Sequence, residues 1–389
     1  MNLPVYLDNN ATTPCDPRVT EEMLPFFSET FGNAASHHHP YGWLAEEAVD
    51  HAREQIAGLI GASPQEIIFT SGATEADNLA IKGVFESYAD KGNHIITVHT
   101  EHRAVLDTCK AVEKRGAEVT YLTVDKDGLI NLNELEKSLR SDTILIAVMY
   151  ANNETGVIQP IKEIGDIAAR HGVLFFTDGV QAAGKIPVDV KKDGIHLMSL
   201  SAHKMYGPKG IGALYVSYKN PGVSLARQIE GGGHEHGMRS GTLNVPGIVG
   251  FGKAAALSGS EIEEFGKKVQ PLRNRLERDL LKLDDASLNG SAENRLPHVS
   301  NISFGDVDGT DLLRRVNKKV AVSSGSACSS ASLDASHVLK AMGLPDDLGR
   351  SSIRFSLGRF TTEEQIDQAI DHVREVVHYL RDKAGVRRF

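Results

Sequence analysis

The residues of this chain that could do chemistry are polar groups placed just after apolar runs, far apart in sequence. "TSGATEADN", residues 70–78, follows a strand-like run and opens a helix-like one. A turn of this kind offers free backbone amides at a helix N-terminus, which is a site for an anion, and Gly72 lets the chain approach closely. Neither a Walker A pattern nor Gly-x-Gly-x-x-Gly is present, so the motif suggests a phosphate without naming a nucleotide. Asp178 ends the apolar run of "LFFTDGVQAAGK", and Lys204 follows a second run in "SLSAHKMYGPKGIG". Taken singly, each has a bland reading, a strand-end turn or a surface amine. Together, a lysine that can form a Schiff base, a carboxylate that can keep a pyridine nitrogen protonated, and a phosphate site are what pyridoxal phosphate needs.

A further candidate is Cys328 in "SSGSACSSAS", residues 323–332. On this stretch alone a polar loop with an unremarkable cysteine is the better reading. The other two cysteines are Cys15, in the turn-rich "TTPCDPR", and Cys109, in the helical "AVLDTCKAV". Cys15 reads as incidental and Cys109 as a small buried hydrophobe. Three cysteines without a Cys-x-x-Cys pair make no disulfide framework and fit a reducing compartment.

The elements that must position these groups alternate. From Glu66 to Val216 the runs "EIIFT", "HIITVH", "EVTYLTV", "TILIAVMY", "VLFFTD", "LMSLS" and "GALYV" read as strands, with segments of 3.6-residue apolar spacing between several of them. Strands without strict polar alternation, separated by helices, imply a parallel or mostly parallel sheet covered on both faces, a doubly wound α/β domain. The carboxyl ends of such strands gather around one crevice. The helix in "IKEIGDIAARHG" closes on a glycine suited to a C-cap. After about Leu257 the texture changes to a long charged helix, "EIEEFGKKVQPLRNRLERDLLKL", two strand-like stretches, and a last helix with a capping-box start at Thr361 and Thr362. The expected division is a large domain over 16–257 and a smaller α+β domain from 1–15 and 258–389, which also carries the Cys328 loop.

The 389 residues exceed the size at which single cores stop growing, and 41% hydrophobic and 24% charged residues are ordinary for a soluble protein. The formal charge of −9 and dispersed Lys and Arg argue against nucleic acid or anionic lipid as partners. No apolar run nears the roughly 20 residues that span a bilayer, and the N-terminus has no signal-like core, so a cytoplasmic location is expected.

In order along the chain, "YLDNNATTP", "FTSGATEADNLAIKG", "EHRAVLDTC", "ANNETGVIQPI", "SAHKMYGPKGIGALYV", "GGGHEHGMRSGTLNV", "SSGSACSSASL" and "SSIRFSLGRFTTEEQID" resemble the cysteine desulfurases of iron-sulfur-cluster assembly. These are class V aminotransferases of pyridoxal-phosphate fold type I, and the length of the Cys328 loop resembles the long-loop class. The resemblance implies a seven-stranded, mostly parallel sheet with a smaller domain, pyridoxal 5'-phosphate as cofactor, and L-cysteine as substrate. It implies Lys204 as the Schiff-base lysine, Asp178 as partner of the pyridine nitrogen, His102 stacked on the ring and moving protons, and Gln181 donating to the phenolic oxygen. Ala73, Thr74, Ser201 and His203 would hold the phosphate, and Thr242 would reach the phosphate of a partner subunit in a homodimer. Asn153 and Arg354 would receive the substrate carboxylate, for which a planar guanidinium is suited.

Cys328 would take sulfur from the substrate as a persulfide, leaving alanine, and pass it to an iron-sulfur scaffold or another acceptor protein. Small neighbours such as Gly325 then serve mobility. Three features depart from the family pattern: "FGNAASHHHPYGW" lacks the proline usual after Gly-Asn and carries His37, His38 and His39 in succession, His236 stands where arginine is frequent, and the chain stops at "LRDKAGVRRF" where many members carry a scaffold-docking tail. The histidine run reads as a solvated or pocket-rim loop, and no metal is expected. The rival readings are a selenocysteine lyase or aminotransferase of the same fold, and a non-catalytic sulfur relay.

Overall fold

Isoleucine, leucine and valine dominate the apolar runs, and in the structure each run becomes a strand, six of them buried throughout and Glu118–Leu122, at the sheet edge, only partly so. The computed structural model describes residues 3–218, 222–324 and 335–385. The strands in chain order are β1 (Val5–Tyr6), β2 (Ile67–Thr70), β3 (His94–Val98), β4 (Glu118–Leu122), β5 (Thr143–Ala147), β6 (Leu174–Asp178), β7 (Leu197–Ser201) and β8 (Gly212–Val216), then β9 (Ala286–Leu288), β10 (Val299–Phe304), β11 (Val320–Ala321) and β12 (Ser352–Ser356). Strands β2 to β8 form one seven-stranded sheet in the order β2-β8-β7-β6-β5-β3-β4. Only β8 runs against its neighbours; the other pairings are parallel. The mostly parallel seven-stranded sheet expected from the sequence is thus present, with all seven runs in place.

Side chains that alternate along a strand enter two different cores. Ile67, Phe69, Ile96, Ile146 and Phe175 pack with the helices Pro40–Ile60, Ile161–His171 and Val245–Leu280 on one face. Ile68, Ile95, Leu145, Leu174 and Phe176 pack with Ala73–Ser87 and Arg103–Glu113 on the other. Cys109 is fully buried in this second layer, and burial pushes its thiol up to about 12, so it stays an unreactive small hydrophobe. Cys15 is exposed.

The smaller body is the three-stranded antiparallel sheet β12-β10-β9 with the helices Gly309–Val316 and Glu363–Lys383, around a core that includes Phe304, Phe355 and Val373. The N-terminal segment joins it: β1 pairs in parallel with β11, and Leu7 lies in the same core. The last helix starts on Thr362 with the reciprocal Thr362–Gln365 capping box, and Gly172 closes the helix Ile161–His171 with φ 66°. The charged helix near residue 261 is the second half of a 36-residue helix, Val245–Leu280, which runs through the expected division at 257 and joins the two bodies. Among the described residues no helix is long and apolar enough to cross a membrane.

Candidate active site

The carboxyl ends of the parallel strands open into a cavity of about 920 Å³. Ala73 and Thr74 at the start of the helix that follows β2, His102 after β3, Asn153 after β5, Asp178 at the end of β6, Gln181 just beyond it, Ser201 at the end of β7, and His203 and Lys204 just beyond it all line it. Arg354 reaches in from β12 of the smaller body. Residues spread over nearly three hundred positions meet because the crossover helices return each parallel strand in the same direction. Thr242 does not line this cavity; it is exposed, in the segment that leads into the helix Val245–Leu280. Cys328 and Gly325 lie outside the described residues.

The local sequence explains each placement. The helix Ala73–Ser87 starts at Gly72 with no side-chain cap, so its first amides are left for a ligand in the cavity. Glu75, the acidic residue of that turn, is drawn aside: it accepts from Ser71 N–H at 2.8 Å and from Arg239 at 2.9 Å. His102 caps the helix Arg103–Glu113, its Nδ1 accepting from Ala104 N–H at 3.2 Å. That hydrogen bond makes Nδ1 the acceptor and leaves Nε2 as the nitrogen able to carry a proton when the ring is neutral.

Asp178 is buried and accepts from Val180 N–H at 3.0 Å. Burial raises its pKa, while His102, the Val180 amide and Lys204 pull it back. Lys204 donates to the carbonyls of Asn10 and Ala11, the latter at 2.8 Å. Burial, with Lys204 and Lys209 close by, lowers His203 to about 4, so its ring is neutral and free to accept or donate as Thr12 requires at 3.1 Å.

Arg354 is 2% exposed. Its guanidinium donates to Asn153 O at 2.9 Å and pairs with Asp8 at 2.7 Å. The two residues expected to receive a carboxylate are therefore in contact, and the arginine already holds an internal carboxylate.

Sequence reasoning passed over several residues of this site. Asn10 accepts from Lys204 and from Gln181 Nε2 at 3.1 Å, donates its side-chain amide to Asn153 O at 3.0 Å, and meets His298 Nε2 at 3.0 Å. Glu154 is buried, accepts from the Ser336 hydroxyl at 2.5 Å, and has its pKa raised by burial against the pull of Arg354, His102 and Arg103. Both stand inside motifs noted above, "YLDNNATTP" and "ANNETGVIQPI", where a polar residue flanked by turn formers was the available signal. The run His37–His39 is exposed, as read from the sequence; His39 caps the helix Pro40–Ile60 and His37 lies 3.5 Å from Glu46. His236 is exposed with φ 55°.

The model of the aminotransferase class-V family matches residues 5–369. A cysteine desulfurase IscS of Anaeromyxobacter sp. (strain Fw109-5) is 57% identical over 383 residues, covering 98% of this chain and 94% of the relative. The cysteine desulfurase IscS of Salmonella schwarzengrund (strain CVM19633) is 54% identical over 384 residues, with 98% and 95% covered. Among solved structures, a NifS-like protein superposes with a TM-score of 0.90 at 39% identity, covering 97% of this chain and all of the other. A structure described as SspA in complex with cysteine gives 0.81 at 39% identity, covering 92% and 100%. The chain belongs to the class-V aminotransferases and, within them, to the cysteine desulfurases.

Proposed function

We propose that this chain binds pyridoxal 5'-phosphate and removes sulfur from L-cysteine, releasing L-alanine and leaving a persulfide on Cys328. The observation that carries the cofactor is the meeting of Lys204, Asp178, His102 and an uncapped helix N-terminus in one cavity. One further feature favours it: Gln181 Oε1 is buried without a hydrogen-bond partner among the described residues. A phosphorylated heteroaromatic ring with polar substituents would satisfy it together with the uncapped helix end.

When bound, the cofactor supplies an electron sink that stabilises negative charge at the substrate α-carbon. Lys204 would hold it covalently, Asp178 would face the ring nitrogen, His102 would lie against the ring, and Gln181 would face a ring substituent. The first amides of Ala73–Ser87, with Ser201 and His203, would take the phosphate. Arg354 and Asn153 orient the substrate carboxylate, Arg354 exchanging or sharing its contact with Asp8. Lys204 accepts and returns the proton at the substrate α-carbon, and the Nε2–H of His102 donates a hydrogen bond toward the reacting groups. The Cys328 thiolate attacks the substrate sulfur: the carbon–sulfur bond breaks, a sulfur–sulfur bond forms, and the substrate β-carbon takes a proton to become the methyl group of alanine.

The active form is a homodimer in which Thr242 serves the neighbouring subunit's phosphate. The exposure of Thr242 supports this, as does a run of exposed apolar side chains at Leu24, Phe27, Phe31, Tyr41, Trp43 and Leu44, in which Phe31 and Tyr41 have ring centroids 5.3 Å apart. The cysteine pattern supports the cytoplasm as its compartment, and the likeness to cysteine desulfurases IscS supports an iron-sulfur scaffold or another sulfur-acceptor protein as the consumer of the persulfide. The purified protein, loaded with the cofactor and given L-cysteine, should change its visible absorbance, release alanine, and carry one extra sulfur by mass. A colourless protein that takes up no pyridoxal phosphate would defeat the reading. Alanine release without covalent sulfur would turn it toward a lyase.

A further inference from the structure

Asp77 is used by none of these steps, yet it lies beside the centre of the site. The helix Ala73–Ser87 carries it down onto the sheet, where it is 1% exposed. One of its carboxylate oxygens, one of Asp178 and a ring nitrogen of His102 lie within 4.8 Å of one another. Neither Asp77 oxygen has a hydrogen-bond partner among the described residues, and the Ser199 hydroxyl on β7 approaches without reaching hydrogen-bonding geometry. Glu101, next to His102, is a third buried carboxyl; one oxygen accepts from Met149 N–H and the other has no partner among the described residues.

Two carboxylates this close in a dry interior do not both ionise, so the pair retains a proton. The surroundings decide where. Asp178 has the Val180 amide and the positive charge of Lys204 in its favour, with His102 beside it. Asp77 is desolvated, faces the charge of Asp178, and has only Ser199 and His102 against that; its pKa is pushed well above the carboxylate range. Glu101 is raised in the same way by burial, against the pull of the Met149 amide and with both aspartates adding to it, so it brings no positive charge to offset the pair.

We propose that Asp77 is a positioning residue that remains a neutral carboxylic acid and offers its proton as a hydrogen-bond donor to the Asp178 carboxylate, so that the pair presents one negative charge to the cofactor's ring nitrogen. The last clause rests on the pyridoxal-phosphate reading; the protonation of Asp77 does not. A neutral donor behind Asp178 fixes the carboxylate's rotamer and removes the repulsion of a second anion.

Infrared spectra of the cofactor-free protein at pH 7 test the first part. The difference between parent and Asp77→Asn should show loss of a carboxylic-acid carbonyl band, distinct from the band removed by Glu101→Gln. Loss of carboxylate bands in its place would overturn the proposal. In the loaded protein, the pH titration of the visible chromophore tests the second part. Asp77→Asn keeps an N–H donor and should titrate like the parent, whereas Asp77→Leu removes the donor and should change the apparent proton affinity tenfold or more. Parent-like titration in both variants would overturn the coupling to Asp178. Should Asp77→Leu not fold, an Asp77→Asn titration displaced tenfold would overturn it equally, and agreement with the parent would support it. A protein that never binds the cofactor would sink the functional reading and leave the infrared result to decide the charge of Asp77.

Discussion

Lys185→Met should make this protein more stable, by an amount that depends on pH. Lys185 is 2% exposed and its amine has no hydrogen-bond partner among the described residues. It faces the rings of Tyr206 and Phe265 at 6.0 and 5.8 Å from their centroids. Burial, then the charges of Lys204 and Arg359, lower its pKa from 10.5 to about 7. Between those values the unfolded chain holds the proton and the folded chain does not, so stability rises with pH across that window, and the penalty is full below pH 7. At about 1.4 kcal/mol per unit, the cost of burying this amine is about 4 kcal/mol at pH 7 and about 1 kcal/mol at pH 10. Methionine keeps the stem and removes the amine. Its expected gain is therefore about 4 kcal/mol at pH 7, or about 5 °C in Tm for an unfolding entropy of about 2.1 cal/mol/K per residue, shrinking to about 1 kcal/mol at pH 10. Denaturant titrations of both proteins at the two pH values would measure it. A variant no more stable at pH 7, or a gain equal at both values, would refute the claim that an unpaired, desolvated amine sits there.

Glu235 accepts from Arg53 at 2.8 and 2.9 Å and from Phe69 N–H at 2.7 Å, so Glu235→Ala should cost about 3–5 kcal/mol of unfolding free energy by leaving the largely buried Arg53 guanidinium without its carboxylate, with only the Ile67 carbonyl still accepting from it. Because Glu235 pins the segment that leads to Thr242, the same variant should also weaken cofactor retention, measured by dialysis. Cys328→Ser should bind the cofactor and respond spectrally to L-cysteine, yet form alanine at least about a hundredfold more slowly, since a serine hydroxyl is scarcely ionised; Cys15→Ser and Cys109→Ser should keep their activity. Mixing Lys204→Ala and Thr242→Ala chains should restore one competent site per mixed dimer, and mixed dimers with no activity would remove Thr242 from the neighbour's site.

Six of the seven strands were legible as dominantly apolar runs between turn formers, which is what burial on both faces demands, and β4, partly exposed at the sheet edge, was legible from its alternation instead. The helix Val245–Leu280 was only half legible. Its first half is crowded with residues that disfavour helix: Pro246, Gly247, Gly250 and Gly252. The structure gives the reasons. Pro246 falls in the first turn, where its missing N–H costs nothing, and a Cβ at Gly252 would lie 2.5 Å from Ala52 Cα. Close packing against the helix Pro40–Ile60 requires a glycine there and supplies the energy that intrinsic propensity lacks.

The site was legible in its separate parts, and the part that joins them was not. Lys204, Asp178 and Thr74 stand at or just beyond strand ends, where a run of apolar residues announces the position of the polar one. Asn10 has no such signal. Its partners Lys204, Gln181, Asn153 and His298 are 143 to 288 residues away, and it meets them only because β1 and Leu7 tie the N-terminal segment to the smaller body while its backbone crosses the mouth of the large sheet. Through Asn10 N–H to Ser356 Oγ at 2.9 Å, that segment also links the cavity to β12, the strand that carries Arg354. The arginine expected to grip a substrate carboxylate and the lysine expected to hold the cofactor are thus referred to one backbone segment, and a shift of the smaller body against the sheet would move both. Distance in sequence hides this coupling, and only the closed fold brings it into view.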